Sequence, residues 1–373
     1  MIIAGEDSGD LHGSALIKEL TKIDSALKIY GIGGQRMINA GMKAQYHIKD
    51  MAFLGFAEVV KHIPFIKKVQ RKLFETVKNK NIQEVVLIDY PGFNLNFAKK
   101  LKTLNTKIIY YISPQVWAWG KNRIKKIKRL VDLMIVVFPF EKEFYEKAGV
   151  KVEYVGHPLI ELLSSYNYLP KNELYSKFDL DPEKEILILM PGSRKQEIKK
   201  IFPESIKAAL KISKEFNLQT IVACSDNLEE SVFRNLSSGN NFTIVKGYTY
   251  DILKHAKFGI IKSGTSTLEA ALFGFPFVVV YSTSPVTYLI GKSLIKIDSI
   301  SMANIVMAEK VIPELIQKDL NQEKIYSVSR NILSNPEKYK GIKSKLNKIK
   351  EKLGASGASR KAAELIYKEL NVN

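Results

Sequence analysis

Short apolar, β-branched runs recur along this chain between helical-looking segments, and that alternation constrains the fold more than any other feature. One series falls at residues 1–4, 28–31, 85–89, 107–112, 133–138 and 152–155, and a second at 186–190, 220–224, 242–245, 258–261 and 277–281. Continuous apolar runs of this length, alternating with helices, indicate parallel strands covered on both faces. An α/β fold of two doubly wound units in series follows, and 373 residues suit two domains of ~100–200 residues each. Between the series, residues 163–183 have weaker periodicity and contain Ser164-Ser165, Pro170 and Asp181-Pro182, so they are expected to link a domain at 1–162 to one at 184–345. Residues 346–373 read as a lysine-rich helical tail that either packs back on the first domain or reaches a second subunit in a homodimer.

Charge and cysteine usage narrow the setting. Lys and Arg number 57 against 38 Asp and Glu, a balance of +19 that favours anionic partners: nucleic acid, a phosphate-bearing metabolite or an acidic membrane face. Lysine that merely solvates the surface accounts for the same surplus. Cys224 is the single cysteine, which excludes an intrachain disulfide framework and fits a reducing, cytosolic compartment. The longest stretch without charge, 270–291, contains Pro276, Pro285 and Ser282-Thr283-Ser284, and reads as a buried strand and loop rather than a membrane span. No signal peptide is visible, and only four residues precede Gly5, which leaves room for a natural start slightly upstream.

In doubly wound sheets ligands bind beyond the carboxyl ends of strands, so the loops after each run hold the candidate chemistry. The first, Gly5-Glu6-Asp7-Ser8-Gly9-Asp10-Leu11-His12-Gly13, spaces its glycines four apart and is not a dinucleotide fingerprint; Gly31-Ile32-Gly33-Gly34-Gln35-Arg36 misses that pattern at its last position. A Rossmann dehydrogenase is therefore poorly supported. Ser8 or Asp10 could cap the following helix, but three acids and a histidine exceed what a cap needs. Asp89, at the end of a buried run, is placed to be desolvated and to accept a proton, or else simply to cap the next turn. Trp117 and Trp119 precede the densest basic cluster, Lys121, Arg123, Lys125, Lys126, Lys128 and Arg129, a combination that suits single-stranded nucleic acid, a sugar or lipid site, or a solvated helix face.

The second half offers two loops suited to anions. In Pro191-Gly192-Ser193-Arg194, a Gly-Ser turn enters a helix and Arg194 can bond two phosphate oxygens, although Ser193 with Gln196 also matches a capping box. In Lys262-Ser263-Gly264-Thr265-Ser266-Thr267-Leu268-Glu269 a second helix start follows a strand, and Glu269 could be the capping partner of Ser266 or an acceptor for ribose hydroxyls. Neither loop is a P-loop, no Gly-x-Ser-x-Gly elbow appears, and the five histidines have no metal-binding spacing. One further segment sets Phe53, Phe56 and Phe65 among lysines, as an interfacial patch or a buried helix would.

Taken in order, these loops resemble the lipid-A-disaccharide synthases, glycosyltransferases of the GT-B type. The resemblance rests on Ala4-Gly5-Glu6-Asp7-Ser8-Gly9-Asp10, Gly33-Gly34-Gln35-Arg36-Met37, Ser113-Pro114-Gln115-Val116-Trp117-Ala118-Trp119, Pro139-Phe140-Glu141, Gly156-His157-Pro158, Pro191-Gly192-Ser193-Arg194, Ser263-Gly264-Thr265-Ser266-Thr267-Leu268-Glu269 and Pro313-Glu314-Leu315-Ile316-Gln317, which together span nearly the whole chain. It implies two Rossmann-like domains around a cleft, an N-terminal acceptor and lipid side and a C-terminal nucleotide-sugar side. It further implies that UDP-2,3-diacylglucosamine donates its sugar to the 6-hydroxyl of 2,3-diacylglucosamine 1-phosphate, giving a β(1→6) disaccharide and UDP, with no metal or other cofactor and at the cytoplasmic face of the inner membrane. Ser193, Arg194, Thr265, Ser266 and Thr267 would face diphosphate and Glu269 the ribose, Asn304 and Gln317 would lie near the nucleotide or sugar, and Gly192, Ser263 and Gly264 would complete the nucleotide-sugar site. Trp117, Trp119, Arg123, Phe53, Phe56 and Phe65 would meet the lipid acceptor. Some relatives carry a second acid where this chain has Gly92, which leaves Asp89 as the expected base with Glu6 and Asp10 as rivals. The alternatives are another UDP-N-acetylglucosamine enzyme of the same architecture, a peptidoglycan-type transferase or an epimerase, and from a different class an RNA-binding protein, for which no RNA module is recognisable.

Overall fold

The computed structural model describes residues 1–51, 62–114, 116, 121–226, 228–237, 239–283, 288 and 299–371. The chain divides into two units, Met1–Ser164 with Leu353–Asn373, and Ser165–Lys352. The first is built on β1 (Ile2–Ala4), β2 (Tyr30–Gly33), β3 (Lys43–His47), β4 (Glu84–Ile88), β5 (Lys107–Tyr111), β6 (Leu133–Val136) and β7 (Val152–Tyr154). These form one parallel sheet in the order β3-β2-β1-β4-β5-β6-β7. The second unit contains β8 (Glu185–Met190), β9 (Leu218–Cys224), β10 (Thr243–Lys246), β11 (Ala256–Lys262), β12 (Phe277–Tyr281) and β13 (Glu314–Ile316), parallel and in the order β10-β9-β8-β11-β12-β13. This is the two-Rossmann α/β architecture expected, of the GT-B type.

The central strands explain why the sequence specifies it. All of β4 is buried, with Leu87 registered against Ile3 of β1 and Tyr110 of β5. Each such Val, Leu or Ile contributes roughly 1.5–3 kcal/mol when taken out of water. Among the described residues two strands have no counterpart in the apolar runs, β3 and β13. Both are edge strands, and β3 alternates Lys43, Gln45 and His47 with Ala44 and Tyr46, because an edge needs burial on fewer sides.

The tail corrects the expected boundaries. Residue 346 falls inside the helix Pro336–Lys352, which belongs to the second unit, while the chain from Leu353 onward belongs to the first. The helix Ala358–Asn371 packs on the helix Asp7–Ile23 and on β5, so the tail returns to its own first unit. Two hydrogen bonds secure that return: the amide of His157 donates to the Leu353 carbonyl at 3.2 Å, and the Tyr154 hydroxyl donates to the same oxygen at 2.8 Å. The Glu141 carboxylate likewise has a structural task, accepting from the Ser113 hydroxyl at 2.5 Å and from the Phe138 amide at 3.3 Å. The expected linker, 163–183, is also more ordered than its weak periodicity suggested, since it contains the helix Lys171–Lys177 and the hydroxyl of Tyr166 donates to Asp251 at 2.6 Å.

Candidate active site

Each sheet reverses its strand order once, between β1 and β4 in the first unit and between β8 and β11 in the second, and at such a switch point adjacent loops diverge to leave a crevice. In the first unit the loop leaving β1 brings Glu6 to the start of the helix Asp7–Ile23, and the loop leaving β4 brings Asp89 and Tyr90 to the start of the helix Pro91–Leu101. The two loops touch: a Cβ on Gly5 would lie 2.3 Å from the Tyr90 ring, so only glycine admits this approach. Asp89 and Tyr90 both have left-handed backbones, φ 42° and 47°, a conformation that non-glycine residues adopt at a cost of about 1–3 kcal/mol each.

Two buried side chains hold that conformation. The Asn94 amide donates to the carbonyls of Ile88 at 3.2 Å and Asp89 at 2.8 Å, and the Tyr110 hydroxyl also donates to the Asp89 carbonyl. Burial, followed by the nearby Glu6 carboxylate, pushes the Asp89 carboxyl up to about 7, against the opposing pull of a backbone hydrogen bond at Tyr90. Burial also raises the Tyr110 hydroxyl, with Asp89 adding to the effect and the positive charge of Arg123 working against it, so Arg123 shares this neighbourhood. A carboxyl that changes charge near neutral pH is suited to general-base work. Asp89 makes no side-chain cap to the helix that follows it.

Asp10 is placed differently from its expected role. It is 2% exposed, and its carboxylate accepts from the amides of Gly34 at 2.7 Å, Met37 at 3.0 Å and Arg36 at 3.2 Å. It therefore caps the helix Gln35–Asn39 instead of its own helix, which no side chain caps, and its oxygens are committed to backbone rather than available as a rival base. His12 also has a packing explanation. Its ring meets that of His157 edge to face at 6.2 Å, and burial pushes the two imidazoles down to about 4 and about 3, so both are neutral at pH 7.

In the second unit the switch point is cationic. The loop leaving β8 passes Gly192, at φ 122°, to Ser193 and Arg194, and the helix Lys195–Glu215 begins just beyond. Arg194 occupies the cap position without a side-chain cap bond, so the expected Ser193–Gln196 capping box does not form and Ser193 is exposed. From β11 the chain passes Ser263 and Gly264 into the helix Thr265–Leu272, which also lacks a side-chain cap. Two helix starts, each carrying partial positive charge, thus flank adjacent strands. Glu197 stands among the cations: its Oε1 lies 2.9 Å from Lys262 Nζ and 3.8 Å from Arg194 Nη1.

Several expected ligand contacts are occupied by the fold. The Ser263 hydroxyl donates to the Ile300 carbonyl at 2.9 Å, and the buried Thr267 hydroxyl donates to Gly264 at 2.8 Å while accepting from the Met302 amide at 3.2 Å. Thr265 is exposed and Ser266 half-buried, so those two, not Ser263 and Thr267, present hydroxyls at this helix start. Asn304 spends its amide on the Ile312 carbonyl and Glu314, both at 2.8 Å, and accepts from the Ile312 amide. Gln317 pairs with both backbone groups of Thr283. These two residues brace the β12–β13 edge. Glu269 accepts from the Tyr250 hydroxyl at 2.9 Å, is raised by burial, and does not serve Ser266 as a capping partner.

Of the expected acceptor-side residues, Phe53, Phe56, Trp117 and Trp119 lie outside the described residues. Phe65 is half-buried on the helix Ile63–Asn79 and meets Tyr46 edge to face at 6.1 Å, which is a core contact at the sheet edge. The helix Lys121–Leu130 turns Ile127 and Leu130 into the core and leaves Arg123, Lys125, Lys126, Lys128 and Arg129 exposed. Among the described residues no group of three or more His, Cys, Asp and Glu is arranged to hold a metal ion. Sequence reasoning gave no role to Asn94, Tyr110, Glu197 or Lys262. Only Glu197 had a usable signal, its i,i+3 spacing from Arg194 on a helix.

Two Rossmann-like units, one with a desolvated acid and the other with an arginine and two helix starts without side-chain caps at its switch point, make up an α/β fold of the GT-B type. Solved structures share this fold: a UDP-N-acetylglucosamine 2-epimerase from Neisseria meningitidis bound to UDP-GlcNAc superposes with a TM-score of 0.71 at 14% identity, over 98% of this chain and 99% of that one. The calicheamicin glycosyltransferase CalG4 does so with 0.62 at 13%, over 99% and 97%. At such identities the likeness shows the fold alone. The sequence comparisons go further. A family model described as lipid-A-disaccharide synthetase matches residues 1–369. The lipid-A-disaccharide synthases of Geobacter sulfurreducens and Nitrosococcus oceani are each 40% identical, over 99% and 98% of this chain and 97% and 94% of theirs. That of Coxiella burnetii is 37% identical over 98% of this chain and 97% of its own. The chain belongs to the lipid-A-disaccharide synthetase family and is a glycosyltransferase.

Proposed function

We propose that the chain moves 2,3-diacylglucosamine from its UDP derivative to the 6-hydroxyl of 2,3-diacylglucosamine 1-phosphate, with inversion at the anomeric carbon, forming the β(1→6) disaccharide 1-phosphate and releasing UDP. The family match across residues 1–369 carries this reading. Inversion requires a base on the acceptor hydroxyl and stabilisation of the departing diphosphate. Asp89 supplies the first: its carboxylate accepts the 6-hydroxyl proton as that oxygen bonds to the anomeric carbon. Glu6 tunes Asp89 by its charge, and Arg123 offers a cation beside it for the acceptor phosphate. Arg194, the backbone amides from Gly192 onward, and the start of the helix Thr265–Leu272 with Gly264, Thr265 and Ser266 supply the second, taking the negative charge that accumulates as the sugar–phosphate bond breaks. Glu269, beyond that helix start, is the acceptor for ribose hydroxyls.

Incubating the protein in detergent with both substrates and analysing the mixture by mass spectrometry tests the reaction. Appearance of the disaccharide phosphate together with UDP is expected. Absence of product from folded protein that binds UDP would contradict it.

The acyl chains of both substrates place the reaction at a lipid surface. No described helix is long and apolar enough to cross a membrane. The +19 balance and the exposed cations of the helix Lys121–Leu130 support peripheral attachment to anionic lipid on the cytoplasmic face. Binding to anionic vesicles that weakens as salt rises is the expected result, and binding indifferent to salt would count against it.

A further inference from the structure

Glu269 lies one turn into the helix Thr265–Leu272, on the same face as Thr265 and about 6 Å further along the axis. Its side chain is half-buried, yet among the described residues no cation pairs with it and a single hydrogen bond serves it: the Tyr250 hydroxyl donates to Oε1 at 2.9 Å. No described residue donates to Oε2. Tyr250 comes from the helix Thr249–His255, which follows β10 as the helix of Glu269 follows β11, so the two helices start at the same end of the parallel sheet. Its ring is held by two aromatic contacts, edge to face with Tyr166 at 5.3 Å and tilted against Phe273 at 6.3 Å.

A carboxylate kept only to join two helices is a costly device here, because burial disfavours its charge and one neutral donor offsets little of that cost. A ligand rich in hydroxyl donors fits the arrangement better. Tyr250 occupies Oε1 and leaves Oε2 to accept, and a vicinal diol brings O–H groups without an opposing charge. We propose that Tyr250 is a positioning residue for ribose recognition: its hydroxyl holds the Glu269 carboxylate in the orientation that accepts from the 2′- and 3′-hydroxyls of the donor nucleotide, and thereby favours a ribonucleotide over its deoxy analogue. The proposal rests on reading Glu269 as the ribose acceptor. With the diphosphate at the helix start beside Thr265, the ribose lies one turn along, opposite Glu269. A site built to accept from hydroxyls rejects an analogue that lacks them, since its acceptor is then left unserved.

Calorimetric titration of the full chain with UDP and, separately, with 2′,3′-dideoxyuridine 5′-diphosphate tests this. The wild type is expected to prefer UDP by at least about tenfold, the scale of a hydrogen bond to a charged group. Tyr250→Phe deletes the hydroxyl and keeps the ring. It is expected to weaken UDP severalfold while the dideoxy nucleotide stays within about twofold, so that the preference shrinks. A preference equal to that of the wild type in folded Tyr250→Phe would overturn the proposal, whether neither affinity changes or both fall in parallel, as a mere helix brace would have it. Tyr250→Met, also without a donor, carries the same expectations should Tyr250→Phe fail to fold. Glu269→Ala separates the two layers of the argument, since it should abolish the preference. A full preference in Glu269→Ala, or none in the wild type, would refute the ribose reading itself and this proposal with it.

Discussion

The two sheets of this protein follow the same strand order up to the extra edge strand of the first, and their switch points carry opposite chemistry. Between β1 and β4 two acids crowd together, Asp89 is desolvated by its surroundings, and the backbone at Asp89 and Tyr90 is left-handed. Between β8 and β11 Arg194 and Lys262 converge on Glu197, and no side chain caps the two helix starts. The fold thus supplies two equivalent positions, and the few residues after each strand give them opposite charge; on the proposed function, each serves one half of the transfer. An acid that must take a proton is favoured by a dry, negative environment, whereas a leaving diphosphate is favoured by fixed positive charge.

Breaking the first position should have the largest effect. Asp89→Asn is expected to lower the turnover number by roughly 10²- to 10⁴-fold, the range for loss of a general base, with the Michaelis constant for the donor little changed. The same substitution sharpens the pH argument. In the intact protein kcat/KM should rise through about pH 7 as Asp89 ionises, and that limb should disappear in the variant. The stability sign follows as well. Because the folded carboxyl is raised, ionisation penalises the folded state above about pH 7 and costs nothing at pH values below its ordinary range, where both states are protonated. Asp89→Asn should therefore raise the melting temperature at pH 8 and leave it unchanged at pH 3. A comparable turnover loss in Glu6→Gln with none in Asp89→Asn would move the role to Glu6.

At the second position, Arg194→Ala should lower turnover by about 10²-fold while the melting temperature stays near that of the wild type, because the guanidinium acts on developing charge. Near-normal turnover would remove Arg194 from the account. A third substitution separates site from scaffold. Asp10→Ala leaves three amides at the helix Gln35–Asn39 without their acceptor and should cost about 3 kcal/mol, read from denaturant unfolding. An unfolding midpoint equal to the wild type would show that Asp10 is not the cap described. The smallest effect is expected at Gly92, where an added Cβ meets no atom within 4 Å. Gly92→Asp should be accommodated and gain about 0.5 kcal/mol from an acid near a helix start. Destabilisation there would contradict the open space.

The comparison also explains what the sequence made legible. Interior strands of both sheets show as apolar runs because a parallel sheet buries both faces. The loops that follow them were visible for the same reason, which is how Glu6, Asp89, Arg194 and Thr265 could be singled out. Edge strands β3 and β13 did not show, since half-exposed strands carry polar residues. Side-chain partners from distant segments were equally hidden: Asp10 looked like a local cap or a catalytic acid, and nothing near it in sequence points to the amides of Gly34, Arg36 and Met37. Asn304 and Gln317 are similar cases, polar residues whose bonds to Ile312 and Thr283 appear only when β12 and β13 are side by side. The Ser193–Gln196 spacing was a local signal that failed because the helix begins two residues beyond Ser193.

The division of labour between the two positions is the central claim, and it is tested most directly by measuring UDP affinity and turnover together in Asp89→Asn and Arg194→Ala. Asp89→Asn is predicted to bind UDP as the wild type does while its turnover collapses, and Arg194→Ala to lose both. UDP binding that is lost in Asp89→Asn, or that survives unchanged in Arg194→Ala, would contradict it.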